Sequence, residues 1–292
     1  MINIELENQV KSKLLNILRY TTSFFEKNGL NYYMACGSAL GAVRHKGIIP
    51  WDDDIDIYMP REDYNRLLSL RKLFDNHDFG IIAPGDDNNY YLGWIKIEDK
   101  KSTLWEIKEF PCIMGISIDI FPLDLTPDGM QRIAKKWFRL RSLYTTYRDS
   151  LARYSFGDMI RMLVHKQYGI LFKSMYNRIS AKRQKEIKRS YFDYEKSLNS
   201  ANGFHYVSYT ENGMYVFEKE WYDGYIMIPF EDFEVRLCKG YDSYLKYLYG
   251  DYMTLPPVEK RQSEHHRYYI NIKERIGYNE IVKRVKSGII SE

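Results

Sequence analysis

The chain has 292 residues, 45% of them hydrophobic and 16% aromatic, and a formal net charge of +4. That is enough apolar material to close a sizeable core, which excludes a disordered chain, and the length suits one large domain or a domain with an elaborate insertion. Three cysteines, Cys36, Cys112 and Cys238, without a C-x-x-C spacing exclude a disulfide framework and fit a reducing cytoplasm, and no stretch is long and apolar enough to cross a membrane.

Residues 1–29 place Leu14, Leu15, Leu18 and Phe25 at helical spacing and stop at Asn28-Gly29, which predicts an amphipathic helix rather than a secretory signal. Residues 30–35 read as a short apolar strand running into a Gly37-Ser38 turn and a helix over 39–44. A strand, a Gly-Ser turn and a helix start make an anion cradle. Glycine lets the backbone approach a phosphate, the Ser38 hydroxyl can donate, and the helix N-terminus aims free N–H groups at the ligand. Arg44 and Lys46 follow within reach of the same ligand.

The next run, Ile49-Pro50-Trp51-Asp52-Asp53-Asp54-Ile55-Asp56-Ile57, concentrates aspartates where a strand begins. In a strand Asp54 and Asp56 point to one face and Ile55 and Ile57 to the other. Two carboxylates at that spacing suit a hard divalent cation, Mg²⁺ or Mn²⁺, which takes one or two protein carboxylates together with substrate phosphates. Asp52 and Asp53 fall in the preceding turn, where they shape the loop.

Further along, residues 61–74 read as a helix, 78–83 as a strand, and 90–105, with Lys96 and Lys101, as a hairpin. Ile116, Ile118 and Ile120 alternate with Ser117, Asp119 and Phe121 as a strand with one apolar face. Asp119 faces away from the isoleucines, and it is the candidate for a metal ligand or a base for an incoming hydroxyl, with Asp124 as its competitor. Residues 131–190 hold 16 Lys or Arg and 3 Asp or Glu, a net +13, against −9 for the remainder. Bulky apolar residues interleave there, as in successive amphipathic helices. Three readings stay open for that segment: a dock on an anionic membrane surface, a helical subdomain packed on the core with a solvated basic face, and a grip on nucleic acid, for which no binding motif is present. Residues 206–209 and 225–230 read as short strands and 239–249 as a helix ending at Gly250. His265-His266 follow a Pro-Pro turn; adjacent histidines do not suit one zinc ion, and with Arg261 they are candidate phosphate or substrate contacts. His45 and His77 read as ordinary surface histidines. The sum is an α/β (α+β) fold, a mixed sheet with flanking helices, divided as a catalytic core over 1–127, a basic helical insertion over 128–200 and a C-terminal part over 201–292 that completes the site.

The segment GSALGAVRHKGIIPWDDDIDI, residues 37–57, resembles the LicD family within the nucleotidyltransferase-like superfamily, with fukutin and fukutin-related protein among its relatives. Gly115 to Asp124 is similar to the family's second block. Tyr244 to Met253 with Leu255-Pro256-Pro257, Arg261 and His265-His266 is similar to its third. The likeness covers residues of about 30–125 and 220–267 and carries nothing over to 128–200.

The resemblance implies a metal-dependent phosphotransferase that moves a phospho-alcohol, phosphocholine by family, from a CDP-alcohol to a sugar hydroxyl of a cell-envelope glycan or lipid-linked precursor such as teichoic acid, lipopolysaccharide or capsule, releasing CMP. Glycerol or ribitol phosphate from the matching donor, or nucleotidyl transfer with release of pyrophosphate, are the alternatives. It implies that the site draws a third carboxylate from a neighbouring strand, with Asp54, Asp56 and Asp119 as the catalytic and metal-holding carboxylates, and Gly37, Ser38, Arg44, Lys46, Trp51, Arg261, His265 and His266 as the donor and substrate contacts. The expected partners are the CDP-alcohol, the glycan acceptor and a peripheral contact with the inner face of the cell membrane, and no nucleic acid.

Overall fold

The computed structural model describes residues 4–86, 89–177, 181–210, 213–262 and 267–291. Helix α1 (Ile4–Lys27) turns Val10, Leu14, Ile17, Leu18 and Phe25 inward, and the chain leaves it at Gly29, whose positive φ of 58° suits glycine. The apolar segment that follows forms only a short strand, β1 (Tyr33–Met34), because helix α2 (Cys36–Arg44) begins immediately after Ala35. Gly37 and Ser38 are therefore in the first helical turn, not in a turn before the helix. Strand β2 (Asp56–Pro60) leads into α3 (Arg61–Ser69) and the short α4 (Arg71–Phe74), so the single helix expected over 61–74 is broken at Leu70.

Strands β3 (Phe79–Ile82), β4 (Ile95–Asp99), β5 (Thr103–Trp105) and β6 (Ser117–Thr126) follow. The hairpin expected over 90–105 does not form. β4 lies between β3 and β6, whereas β5 pairs with a strand from the far end of the chain. Four helices then fill the basic segment: α5 (Met130–Leu151), α6 (Phe156–Val164), α7 (Tyr168–Asn177) and α8 (Ala181–Lys196). The C-terminal part comprises β7 (His205–Tyr209), β8 (Met214–Glu218), β9 (Tyr225–Phe230), β10 (Phe233–Cys238), α9 (Tyr241–Tyr249), β11 (Tyr269–Asn271) and α10 (Tyr278–Lys286). Of these, β8, β10, β11 and α10 were not expected from the sequence.

The main sheet runs β1-β2-β6-β4-β3, with β7 paired to the second half of β6 and β8 beyond it. β2 and β6 are parallel and the other described neighbours antiparallel. Ile57, Ile118, Ile120, Ile95 and Ile97 are fully or almost fully buried on one face, as the alternation requires. The insertion has a small core of its own, Leu140, Tyr144, Tyr147, Tyr191 and Leu198.

Candidate active site

The parallel register sets Asp56 directly beside Asp119, and the antiparallel register sets Lys96 beside Asp119 on its other side. Three polar residues thus stand in a row on the face opposite the isoleucines. Asp54 precedes the strand at the mouth of this row. Backbone bonds fix the spacing: the Asp119 N–H donates to the Ile55 carbonyl at 2.9 Å, and the Ala35 N–H to the Asp56 carbonyl at 2.9 Å.

Burial pushes the Asp56 carboxyl well above its ordinary value, and the charges of Asp54, Asp119 and Asp52 push it further. Burial also raises Asp119, against the pull of Lys96, whose Nζ is 2.7 Å from Asp119 Oδ1 and 3.2 Å from Glu106 Oε1. Burial opposes the Lys96 ammonium, but Asp119 and Glu106 overcome it and raise its pKa. Tyr91 donates to the other oxygen of Glu106 at 2.8 Å.

Asp124 does not belong to this row. It accepts two bonds from the Arg61 guanidinium, at 2.7 and 2.9 Å, and Glu195 meets the same guanidinium at 2.5 Å. Of the two carboxylates weighed for the third position, Asp119 is the one beside Asp56.

Gly37 and Ser38 tie helix α2 to the acidic strand. Ser38 Oγ accepts the Asp56 N–H at 2.9 Å. A Cβ at Gly37 would lie 2.6 Å from Asp52 Oδ2, so the glycine leaves room for that carboxylate beside the helix start. Arg44 donates to the Tyr252 carbonyl at 2.8 Å and to His45 Nε2 at 3.0 Å. His45 is consequently not the surface histidine expected: it lies partly buried, edge-on to Trp51 at 5.6 Å, and burial with the adjacent Arg44 lowers its pKa. His77, by contrast, has an 87% exposed side chain. Arg261 lies over the Trp51 ring at 5.4 Å and donates to the Pro256 carbonyl at 2.8 Å. Lys46 is exposed with φ 59°, and its carbonyl accepts the Glu231 N–H at 2.6 Å. His265 and His266 lie outside the described residues.

Two hollows meet at this motif. A cleft of about 510 Å³ is lined by Lys11, Trp51, Asp52, Asp53, Arg261 and Arg267. A narrower one is lined by Asp53, Asp54, Lys96, Glu106, Asp119 and Arg267. Arg267 stands at the junction, 2.7 Å from Asp53 and 2.8 Å from Glu7 of α1. Lys96, Glu106, Lys11 and Arg267 were missed as site residues from the sequence. Lys96 left a trace, a lysine between two isoleucines of a buried strand; Arg267 left none.

Among the described residues, no three Asp, Glu, His or Cys side chains converge as a preformed metal cage. The donor set nevertheless fits a hard cation. Asp54 and Asp56 offer oxygen ligands, and the like-charge crowding that raises the Asp56 carboxyl is what a divalent ion relieves. Asp119, already paired with Lys96, is the least available of the three.

The polar row continues as an aromatic one. Two residues on, Tyr58 and Phe121 stand side by side with ring centroids 6.2 Å apart, and Trp94 packs on Phe121 at 4.9 Å.

A family model described as LicD/FKTN/FKRP, nucleotidyltransferase domain, matches residues 29–160. The lipopolysaccharide cholinephosphotransferase LicD of Haemophilus influenzae is 30% identical over 257 residues, covering 86% of this chain and 92% of that protein. The chain belongs to the LicD family. It is accordingly a transferase, like its LicD and FKRP relatives. Ribitol 5-phosphate transferase FKRP of Homo sapiens is similar over a shorter stretch, 43% identical across 53 residues, which is 18% of this LicD-family chain and 11% of FKRP. The uncharacterized protein RP689 of Rickettsia prowazekii is 40% identical over 68 residues.

Proposed function

We propose that this chain transfers phosphocholine from a CDP-linked donor to a sugar hydroxyl of a lipid-linked cell-surface glycan such as lipopolysaccharide, with release of CMP. The acceptor oxygen bonds to the phosphorus distal to cytidine as the bond from that phosphorus to the CMP oxygen breaks, and the hydroxyl proton passes to a base. The observation that carries the reading is the register that sets Asp56 beside Asp119, with Asp54 at the strand's mouth. A Mg²⁺ or Mn²⁺ ion held by Asp54 and Asp56 would neutralise charge on the donor phosphates and the leaving group. Asp119, steadied by Lys96, orients the acceptor hydroxyl and takes its proton. The Trp51 ring and the Lys11, Arg261 and Arg267 cations line a cleft suited to the nucleotide half of the donor.

The names of the relatives point to two cargoes, choline phosphate and ribitol phosphate. One two-residue step, about 7 Å along the same sheet face, separates the acidic row from the aromatic row. The crevice beside that row is walled by Trp94, Phe121, Tyr144 and Tyr191. Within it Asp124 and Glu195 pair with the Arg61 guanidinium, and with Arg141 on the exposed rim the lining carries two cations and two carboxylates. The relative named for choline phosphate transfer matches 86% of this chain and the one named for ribitol phosphate 18%, which favours choline phosphate as the cargo. The deciding experiment incubates the protein with Mg²⁺ and a panel of CDP-alcohols and follows CMP, with and without glycan acceptor. CDP-choline is expected to be the preferred donor. Preference for CDP-ribitol or CDP-glycerol would overturn the cargo, and full activity in EDTA would overturn the cation.

A further inference from the structure

The helical insertion carries a hairpin, α6 and α7, in which α7 rests on α5 and the outward side chains are uncovered among the described residues. Among the described side chains of α6 and α7, only Asp158 and Leu171 are buried. Phe156, Ile160, Val164, Ile170, Phe172 and Met175 are between 46% and 75% exposed, and the two helices lie against each other, so these residues form a continuous apolar surface. In α6 the apolar stripe of Phe156, Ile160, Leu163 and Val164 is turned outward and the acid Asp158 inward, and an exposed apolar patch of this kind marks an interaction site.

Charge identifies the occupant. Residues 151–180 contain five Lys or Arg and a single acid, Asp158. That acid faces the protein. It caps its own helix through Ser155, in a reciprocal capping box, and pairs with Lys108 at 3.0 Å. The outer surface of the hairpin is therefore apolar and cationic, with Arg161 on α6 and Lys166 in the turn. A second copy of the chain would set two cationic surfaces face to face with no acid of this stretch to offset them. Nucleic acid would leave the phenylalanines and aliphatics in water. An anionic lipid surface matches both properties. With nine and ten residues the helices are about 14 and 15 Å long, half the roughly 30 Å of bilayer hydrocarbon, and no described helix is long and apolar enough to cross it.

We propose that the α6–α7 hairpin is a monotopic membrane dock: its apolar side chains seat below the headgroups of an anionic leaflet, while Arg161 and Lys166 meet the lipid phosphates. This adds an interaction surface to the chemistry above and does not depend on it.

The test is sedimentation of the full-length protein with vesicles of phosphatidylcholine, with and without phosphatidylglycerol. Binding to the anionic vesicles is expected, falling as salt rises. The variant Phe156→Ser/Val164→Ser/Phe172→Ser should lose that binding while far-UV circular dichroism and CMP release with a water-soluble acceptor stay unchanged. A second variant, Arg161→Ser/Lys166→Ser, should bind more weakly and with a shallower salt dependence. Failure of the unaltered protein to sediment with anionic vesicles at low salt overturns the proposal, as does undiminished binding by the triple serine variant. A dimer in light scattering that the triple serine variant dissociates assigns the surface to a second copy and overturns it as well.

Discussion

Lys96 lies between the fully buried Ile95 and Ile97, and its ammonium joins Asp119 to Glu106. Removing one partner of a buried ionic cluster leaves the others uncompensated, typically at a cost of about 3–5 kcal/mol. Lys96→Met should therefore lower the free energy of unfolding, measured by urea titration, by an amount in that range and move the acid limb of the transfer rate to higher pH, because Asp119 loses the charge that opposes its protonation. Asp119→Asn and Asp124→Asn should diverge. Each removes one partner of a buried ionic cluster, Lys96 keeping Glu106 and Arg61 keeping Glu195, so both should lose stability, and only the first should also lose turnover in the protein that remains folded. The sign of the pH dependence follows from Asp56. Its folded pKa lies above the ordinary 3.8, so the folded state holds the proton longer, and this carboxyl takes stability away as pH rises from that value through the raised one. A cation competes for the same oxygens. The rise in melting temperature on adding Mg²⁺ should thus grow with pH across that interval, and Asp56→Asn should abolish both the growth and the transfer.

Helix α2 is the element that joins the acidic strand to the C-terminal part. Its first residue, Cys36, has φ 45° and donates its N–H to the Tyr244 hydroxyl of α9 at 2.7 Å. Tyr244→Phe leaves that donor without its partner in a buried setting, and a loss of about 1–3 kcal/mol is expected, measured by chemical unfolding. The acidic block was readable because its chemistry is local: Asp54 and Asp56 alternate with isoleucines within one short segment, and Asp119 sits in an equally regular alternation. The start of α2 was misread because a Gly-Ser pair signals a turn, while the groups bonded to the helix start are remote, the Asp56 N–H on Ser38 and the Tyr244 hydroxyl on Cys36. Residues 90–105 were misread for the same reason. Both strands have strand-like sequences, but β4 finds partners in β3 and β6, and β5 finds β11 more than 160 residues away. Periodicity reports an element's faces and is silent about its neighbour.

At the scale of the whole molecule the basic segment was legible as helices and as charge, since 16 cations against 3 acids need no fold to be counted. Which of its side chains remain exposed could not be counted, because α8 and α7 both pack on α5 while the outward faces of α6 and α7 stay uncovered. Arg267 belongs to this scale too. It holds Asp53 of the acidic block and Glu7 of α1 at once, and β11 pairs with β5 just beyond it. Arg267→Met should accelerate amide hydrogen exchange in the first turns of α1 and across residues 49–54, with smaller change in the distant β9–β10 ribbon, and should slow transfer.

That clasp also has a meaning in time. During synthesis the acidic block emerges from the ribosome more than 200 residues before Arg267 does, and until then Asp53 and Glu7 lack the cation that spans them. A nascent chain displaying the aspartate motif thus waits for the clasp that joins it to α1 until Arg267 has been made.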